Sequence, residues 1–413
     1  MAEFDPPTSA QDQRSGQNKG NVPRQPDSGQ APAPAVAVGV PTGQSRPDFD
    51  AADSVAAPLA REHFWQKPPP AHRQAYAAID LGTNNCRLLI ARPAGDHFMV
   101  IDAFSRAVKL GEGLAQSGRL SDEAMDRALA ALRICAEKLR KRNVNLARSV
   151  ATEACRRATN GADFIERVYQ ETGIRLDIIT AQEEARLAVL GCHILLEHGD
   201  GPAMIFDIGG GSTEVVLVDT TEAAPRILDW QSVPWGVVSL TEVVGDIADT
   251  PEARAAAYAE MRARVDADFA DFAARIAPER EGAVGSGALL RLLGTSGTVT
   301  TLASLYLDLP QYDRRAVDGV IVPAAAMREV SQRLASLSYA GRVAVPCIGR
   351  DRADLVVAGC AILESICDIW PAERLGIADR GIREGILRSL MATNGDGDRG
   401  RASLRAAKRE AGA

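Results

Sequence analysis

No stretch of this chain approaches the roughly 18 consecutive apolar residues that a membrane-spanning helix needs. The N-terminus also lacks a basic start followed by an apolar run, so neither a membrane anchor nor a secretory signal is expected. The seven cysteines are scattered, with no Cys-x-x-Cys pair, and the five histidines show no zinc spacing. An odd, unpatterned set of cysteines argues for reduced thiols and a cytoplasmic protein. The formal net charge of −7 lacks the basic excess of a general nucleic-acid binder, so no nucleic-acid partner is expected. Two familiar phosphate-binding patterns are missing as well. No Gly-Lys-Ser/Thr follows either hairpin's Gly-rich turn, and neither turn opens a helix as the dinucleotide fingerprint requires.

Residues 1–73 hold 12 of the 22 prolines and show no lasting period of 2 or 3.6. Such a segment cannot bury enough apolar area to offset its ordering entropy, and a disordered tail is expected there. A second tail is expected over 393–413, where Gly and Asp give way to Arg and Lys. The folded part is therefore read as about 74–392. Across it, strand-like and helix-like segments alternate, which argues for an α/β protein.

What is present is a repeated motif. Ala77-Ala-Ile-Asp80-Leu-Gly82-Thr83-Asn84-Asn85-Cys-Arg87 and Ala203-Met-Ile-Phe-Asp207-Ile-Gly209-Gly210-Gly211-Ser212-Thr213-Glu214 each read as strand, turn, strand. In each, an Asp sits where the first strand stops. A Gly-rich turn lets backbone N–H groups converge into a nest for anions, and Ser, Thr and Asn add donors. An Asp beside that nest would repel phosphate unless a divalent cation lay between, as Mg²⁺ usually does. Asp207 and Glu214 bracket the second turn and supply hard oxygen donors; Asp80 would face them from the other half. A third glycine turn, Gly294-Thr295-Ser296-Gly297-Thr298, runs from an apolar stretch into a helix, and a helix N-terminus is a ready anion site. Arg87, Arg106, Arg156 and Arg157 are candidates for charge neutralisation.

Ser121-Asp122-Glu123 opens a helix that ends near Arg140-Lys-Arg142, acids first and bases last as the helix dipole favours. Thr180-Ala-Gln-Glu183 reads as a capping box opening a helix to about Glu197. Glu184 then shares a face with Leu187, Ala188 and Gly191. A carboxylate on an apolar stripe is either a first-turn acid favoured by the dipole or a desolvated group with raised pKa, suited to general-base work. The pattern alone leaves both open.

Seven segments in order resemble the exopolyphosphatase / guanosine pentaphosphate phosphohydrolase family, part of the acetate/sugar kinase, heat-shock chaperone and actin superfamily. They are the two hairpin motifs, Val108-Lys-Leu-Gly-Glu-Gly-Leu114, Ala151-Thr-Glu-Ala-Cys-Arg-Arg-Ala-Thr-Asn160, Gln182-Glu-Glu-Ala-Arg-Leu187, Gly294-Thr-Ser-Gly-Thr298 and Asp379-Arg-Gly-Ile-Arg-Glu-Gly385. The resemblance implies two ribonuclease-H-like (actin-like ATPase) lobes, 74–189 and 190–382, with a cleft between them and a helix 383–392 returning to the first lobe. It implies Glu184 as general base, Asp207 and Glu214 linked to Mg²⁺, and the glycine and Ser/Thr/Asn turns holding phosphates. It implies release of terminal phosphate from polyphosphate or of the 5′-phosphate of guanosine pentaphosphate. Homodimerisation rests on the resemblance alone. Thr83 and Asn85 stand where members of that family often carry Ser. Longer members carry an extra helical domain after the core, and none is expected here. An ATP-dependent kinase and a non-catalytic alarmone or polyphosphate sensor are the competing readings.

Overall fold

A computed structural model of the protein describes residues 74–95, 97–221 and 225–393. The tails expected over 1–73 and 393–413 lie outside these residues, except for Thr393, which ends the last helix. Two sheets organise the described chain. The first runs β1 (Ala75–Leu81), β2 (Asn85–Ala94), β3 (His97–Ala107), β4 (Val144–Ala151) and β5 (Leu176–Ile178), in the order β3-β2-β1-β4-β5. The second has β6 (Pro202–Ile208), β7 (Thr213–Asp219), β8 (Arg226–Val233), β9 (Arg291–Thr295), β10 (Ile321–Pro323) and β11 (Arg374–Ala378), in the order β10-β11-β9-β6-β7-β8. Each sheet opens with an antiparallel three-strand meander and continues with parallel strands beside its first strand. The two sheets thus repeat one plan, that of two ribonuclease-H-like (actin-like ATPase) lobes; β10 is an antiparallel addition at the second sheet's edge.

Central strands β1 and β6 are almost continuously apolar and buried, as strands covered on both faces must be. Helix Asp122–Lys141 covers the first sheet, burying Ala128, Leu129, Leu132 and Cys135. Its Ser121 cap accepts from Ala124 N–H at 3.2 Å. Helix Pro251–Gly285 covers the second, with Met261, Val265, Phe269, Phe272 and Ile276 on one stripe in the core. Among the described residues no helix is long and apolar enough to cross a membrane.

Helix Ala181–Cys192 lies between the sheets. Leu187 and Ala188 pack with Tyr76, Ala78 and Val150 of the first lobe, while Ala185, Val189 and Cys192 pack with Ala203, Ile205 and Val216 of the second. The division expected at 189/190 therefore falls inside a helix that belongs to both. A final helix, 382–393, packs Ile386 and Leu387 into the first lobe's cluster. The two helices cross at glycine: a methyl group on Gly385 would lie 2.0 Å from Leu187 O, and one on Gly191 1.9 Å from Gly381 O. No side chain fits at either point.

Candidate active site

The two hairpins place their acids alike. Across β1–β2, Asp80 pairs with Arg87; across β6–β7, Asp207 pairs with Glu214. The turns close alike too, with Gly82 N–H donating to Asn85 O and Gly209 N–H to Ser212 O, both at 2.9 Å. Neighbouring segments then take the turn carbonyls. Val108 and Lys109 N–H donate to Asn84 O at 2.8 and 3.0 Å, and Gly111 N–H to Thr83 O at 2.9 Å. In the second lobe, Val237 and Val238 N–H donate to Gly209 O and Gly210 O at 3.0 and 2.8 Å. The N–H groups of Thr83, Asn84, Gly210 and Gly211 are left with no acceptor among the described residues. Unpaired amides that line a concavity are the kind of group that can hold an anion.

The turns also touch each other. A methyl group on Gly210 would lie 3.1 Å from Asn84 N, and one on Gly211 2.6 Å from Thr83 Oγ1. Bare glycine backbone is what lets the lobes meet here. Gly113 N–H donates to Glu242 Oε1 at 2.8 Å, a further link between lobes.

Together the turns line a cleft of about 140 Å³. Of the residues expected to meet phosphate, it takes in Gly82, Thr83, Asn84, Asn85, Arg87, Gly209, Gly210, Gly211, Ser212, Ser296, Gly297 and Thr298, and also Asp80, Glu184, Asp207 and Glu214. Four expected contacts do not line it. Thr213 is fully buried and its hydroxyl donates to Trp235 O at 2.7 Å. Gly294 is a packing glycine, since a methyl group there would meet the Phe206 ring at 2.4 Å. Thr295 donates to Arg380 O at 2.5 Å. Arg156 is held by Glu153 (Nη2 to Oε2, 2.6 Å), Glu184 (Nη1 to Oε2, 3.0 Å) and Ile179 O (2.8 Å). It orients Glu184 instead of offering a free cation. Arg106 does not line the cleft, and its guanidinium sits 5.4 Å from the centroid of the Phe104 ring.

The expected capping box forms by half. Thr180 Oγ1 accepts from Glu183 N–H at 3.2 Å, but the Glu183 carboxylate is engaged by Arg148 and Arg186. Glu184, one residue on, is 7% exposed and lines the cleft. Desolvation lifts its carboxyl well above the ordinary range and Glu214 adds to this, against the pull of Arg156. Glu214 Oε1 accepts from Ser212 and Ser232 hydroxyls, each at 2.8 Å, yet burial and then Asp207 push it up to about 7. Burial lifts Asp207 to about 6, with Arg87 opposing and Asp80 adding. Asp80 is raised by burial as well, and its Oδ1 is buried without a partner, as is Asn84 Oδ1. The cleft thus gathers four acids of raised pKa. Among the described residues, no three His, Cys, Asp or Glu side chains converge to hold a metal ion by themselves.

Several cleft residues carry no signal that sequence reasoning picked up. Arg352 lines the cleft and donates to Thr301 Oγ1 at 2.7 Å, and a methyl group on Gly297 would lie 3.9 Å from its guanidinium carbon. No local pattern marks it; only the fold brings it beside the Ser296 turn. Thr152 and Glu153 also line the cleft, within a segment of family resemblance that assigns them no role.

The chain is similar to known proteins in sequence and in fold. Residues 89–394 match the family model described as the Ppx/GppA phosphatase family. The chain is 31% identical over 328 residues to exopolyphosphatase 2 of Mycobacterium tuberculosis, covering 76% of this chain and 98% of that one. It is 28% identical to the guanosine-5′-triphosphate,3′-diphosphate pyrophosphatase of Aeromonas salmonicida, over 78% of this chain and 60% of that relative. Among solved structures, the exopolyphosphatase of Cytophaga hutchinsonii superposes with a TM-score of 0.67 at 25% identity, covering 78% of this chain and 98% of that one.

Proposed function

This chain belongs to the Ppx/GppA phosphatase family, and on that premise we propose that it is a Mg²⁺-dependent hydrolase releasing the terminal phosphate of inorganic polyphosphate, the 5′-phosphate of guanosine pentaphosphate, or both. The observation that carries the reading is one cleft in which unpaired turn amides from both lobes stand opposite a buried glutamate. The amides would hold the phosphate oxygens, and Arg87 and Arg352 would offset their charge. Glu184, steadied by Arg156, would take a proton from water as the water oxygen attacks the terminal phosphorus. The bond to the remaining phosphate chain breaks, and that chain leaves with the bonding pair. Positioning and charge neutralisation do most of the work in phosphoryl transfer.

The donor set fits Mg²⁺. Asp80 Oδ1 is an orphaned buried oxygen, and Asp207 and Glu214 are like-charged cross-strand neighbours that a cation would relieve. No three acids among the described residues converge on one point, so the ion would take one or two ligands from among Asp80, Asp207 and Glu214, with phosphate and water oxygens supplying the rest of its shell, as is usual for Mg²⁺. Bound there it would neutralise phosphoryl charge.

The test is phosphate release with and without Mg²⁺ from long polyphosphate, short polyphosphate and guanosine pentaphosphate, using Glu184→Gln as control. The variant is expected to keep fold and ligand binding and to lose about 10²–10⁴ in turnover, the scale of a general base. Near-normal turnover would sink the assignment of Glu184. Binding without release from any of the three would turn the reading to a sensor, and transfer from ATP to an acceptor to a kinase.

A further inference from the structure

A second cavity, of about 600 Å³, lies outside the cleft. It sits where edge strand β3 of the first lobe meets residues 314–318 and the helix 382–393. The chain passes between the lobes twice, through 193–201 and through 379–381. Ile194 from the first passage and Arg380 from the second both line this cavity, which places it on the hinge side of the molecule.

Its charges do not balance. Four arginines and His97 line it, against Asp318 and Glu384. Both acids are already engaged: Asp318 Oδ2 accepts from Arg380 Nε at 2.8 Å, and Glu384 Oε1 from Arg314 Nη2 at 3.2 Å. Arg314 also pairs with Asp379 at 3.1 Å. Arg315 and Arg388 have no carboxylate partner among the described residues. The Arg388 guanidinium lies over the Phe98 ring, 5.9 Å from its centroid, and its Nε is buried with no hydrogen-bond partner among the described residues. Burial and the neighbouring Arg380 weaken its hold on its proton. The cavity-lining guanidinium groups of Arg388 and Arg315 have no carboxylate partner among the described residues, and an oxyanion is the group that answers them, since the planar fork of Arg matches phosphate oxygens two at a time.

We propose that this hinge cavity is a second anion site, taking a phosphate group through Arg388 and Arg315 with His97 at its rim. The chemistry is shared by free orthophosphate and by a phosphoryl unit of an oligophosphate chain. An ion held there would join Arg315 of the second lobe to Arg388 of the helix that packs into the first.

Calorimetric titration tests this in the Glu184→Gln background, where turnover does not intrude, with inorganic phosphate and tripolyphosphate as separate probes. Two binding events per chain are expected with tripolyphosphate, and one in the Arg315→Glu/Arg388→Gln variant. Saturation of the second event by orthophosphate alone would identify the free ion as its ligand; a response to tripolyphosphate only would identify a chain unit. Arg315→Glu by itself, an exposed change, is expected to weaken the second event about tenfold, the scale of one charge-assisted contact. In the otherwise native chain the double variant is expected to keep phosphate release within about twofold, measured from whichever substrate the chain hydrolyses. Tripolyphosphate binding that the double variant leaves unchanged, whether as one event or two, would overturn the proposal. Because the readout is binding, it stands or falls separately from the role of Glu184.

Discussion

Replacing Glu214 by Gln is expected to make the metal-free protein more stable and less active. Glu214 is 2% exposed and stands across the β6–β7 pair from Asp207. Folding lifts its carboxyl from the ordinary 4.5 to about 7, first by burial and then by Asp207. A group whose folded pKa is raised holds its proton more tightly in the folded state. Its contribution is therefore greatest at low pH and is lost as pH rises from 4.5 to about 7. At pH 8 both states are ionised, and the folded chain carries a penalty of about 3 kcal/mol. Glutamine has the same shape, and its amide oxygen can still accept from Ser212 and Ser232, so most of that penalty should disappear. For a domain of this size the gain corresponds to a rise in melting temperature on the order of 5 °C. At pH 4 the carboxyl is protonated in the folded chain and mostly so in the unfolded one, and the two proteins should melt together. Scanning calorimetry at pH 4 and pH 8, without divalent cations, reads both predictions. An unchanged or lower melting temperature at pH 8, or an equal rise at both pH values, would refute the electrostatic reasoning. Added Mg²⁺ should stabilise the parent more than the variant, because the variant no longer has the charge the ion would relieve.

Three further outcomes are expected. Gly385→Ala should cost about 1–3 kcal/mol by overpacking against Leu187 O and lower turnover by displacing the helix that carries Glu184. Gly282→Ala, a helical glycine with open space around it, should be neutral or stabilising; equal losses in the two melts would show that the helix crossing is not the cause. Because the Glu184 carboxyl is raised, kcat/KM should climb with pH on the acid side as the base form appears, and Glu184→Gln should flatten that limb; an unaltered limb assigns it to another group. Asp207→Asn should raise the Mg²⁺ concentration needed for half-maximal phosphate release, and an identical metal titration would count against Asp207 as a ligand.

Local order is legible because local physics produces it. The strand–turn–strand units are readable from apolar runs broken by glycine, and the structure pairs Asp80 with Arg87 and Asp207 with Glu214 across those hairpins. Helical spacing from a capping threonine puts Glu184 on an apolar face and leaves its role open, while its neighbour Glu183 serves Arg148 and Arg186 instead of closing the box. Helix Pro251–Gly285 carries its own start signal, with Thr250 as cap and Pro251 in its first turn. None of its residues lines the cleft or the hinge cavity.

By itself the sequence determined the α/β class, the two hairpins, the family and the acids of the cleft. The class, the hairpins and the acids are set by neighbours a few residues apart, and the family by seven such segments in order. Only the tertiary structure decided which candidates line the cleft. It withdrew Arg156 into the carboxylates of Glu153 and Glu184, supplied Arg352 from 55 positions beyond Gly297, and set helix 181–192 between two sheets. It also assembled the hinge cavity from β3, the 314–318 segment and the last helix. Those outcomes depend on packing between segments far apart in the chain, which residue spacing does not encode.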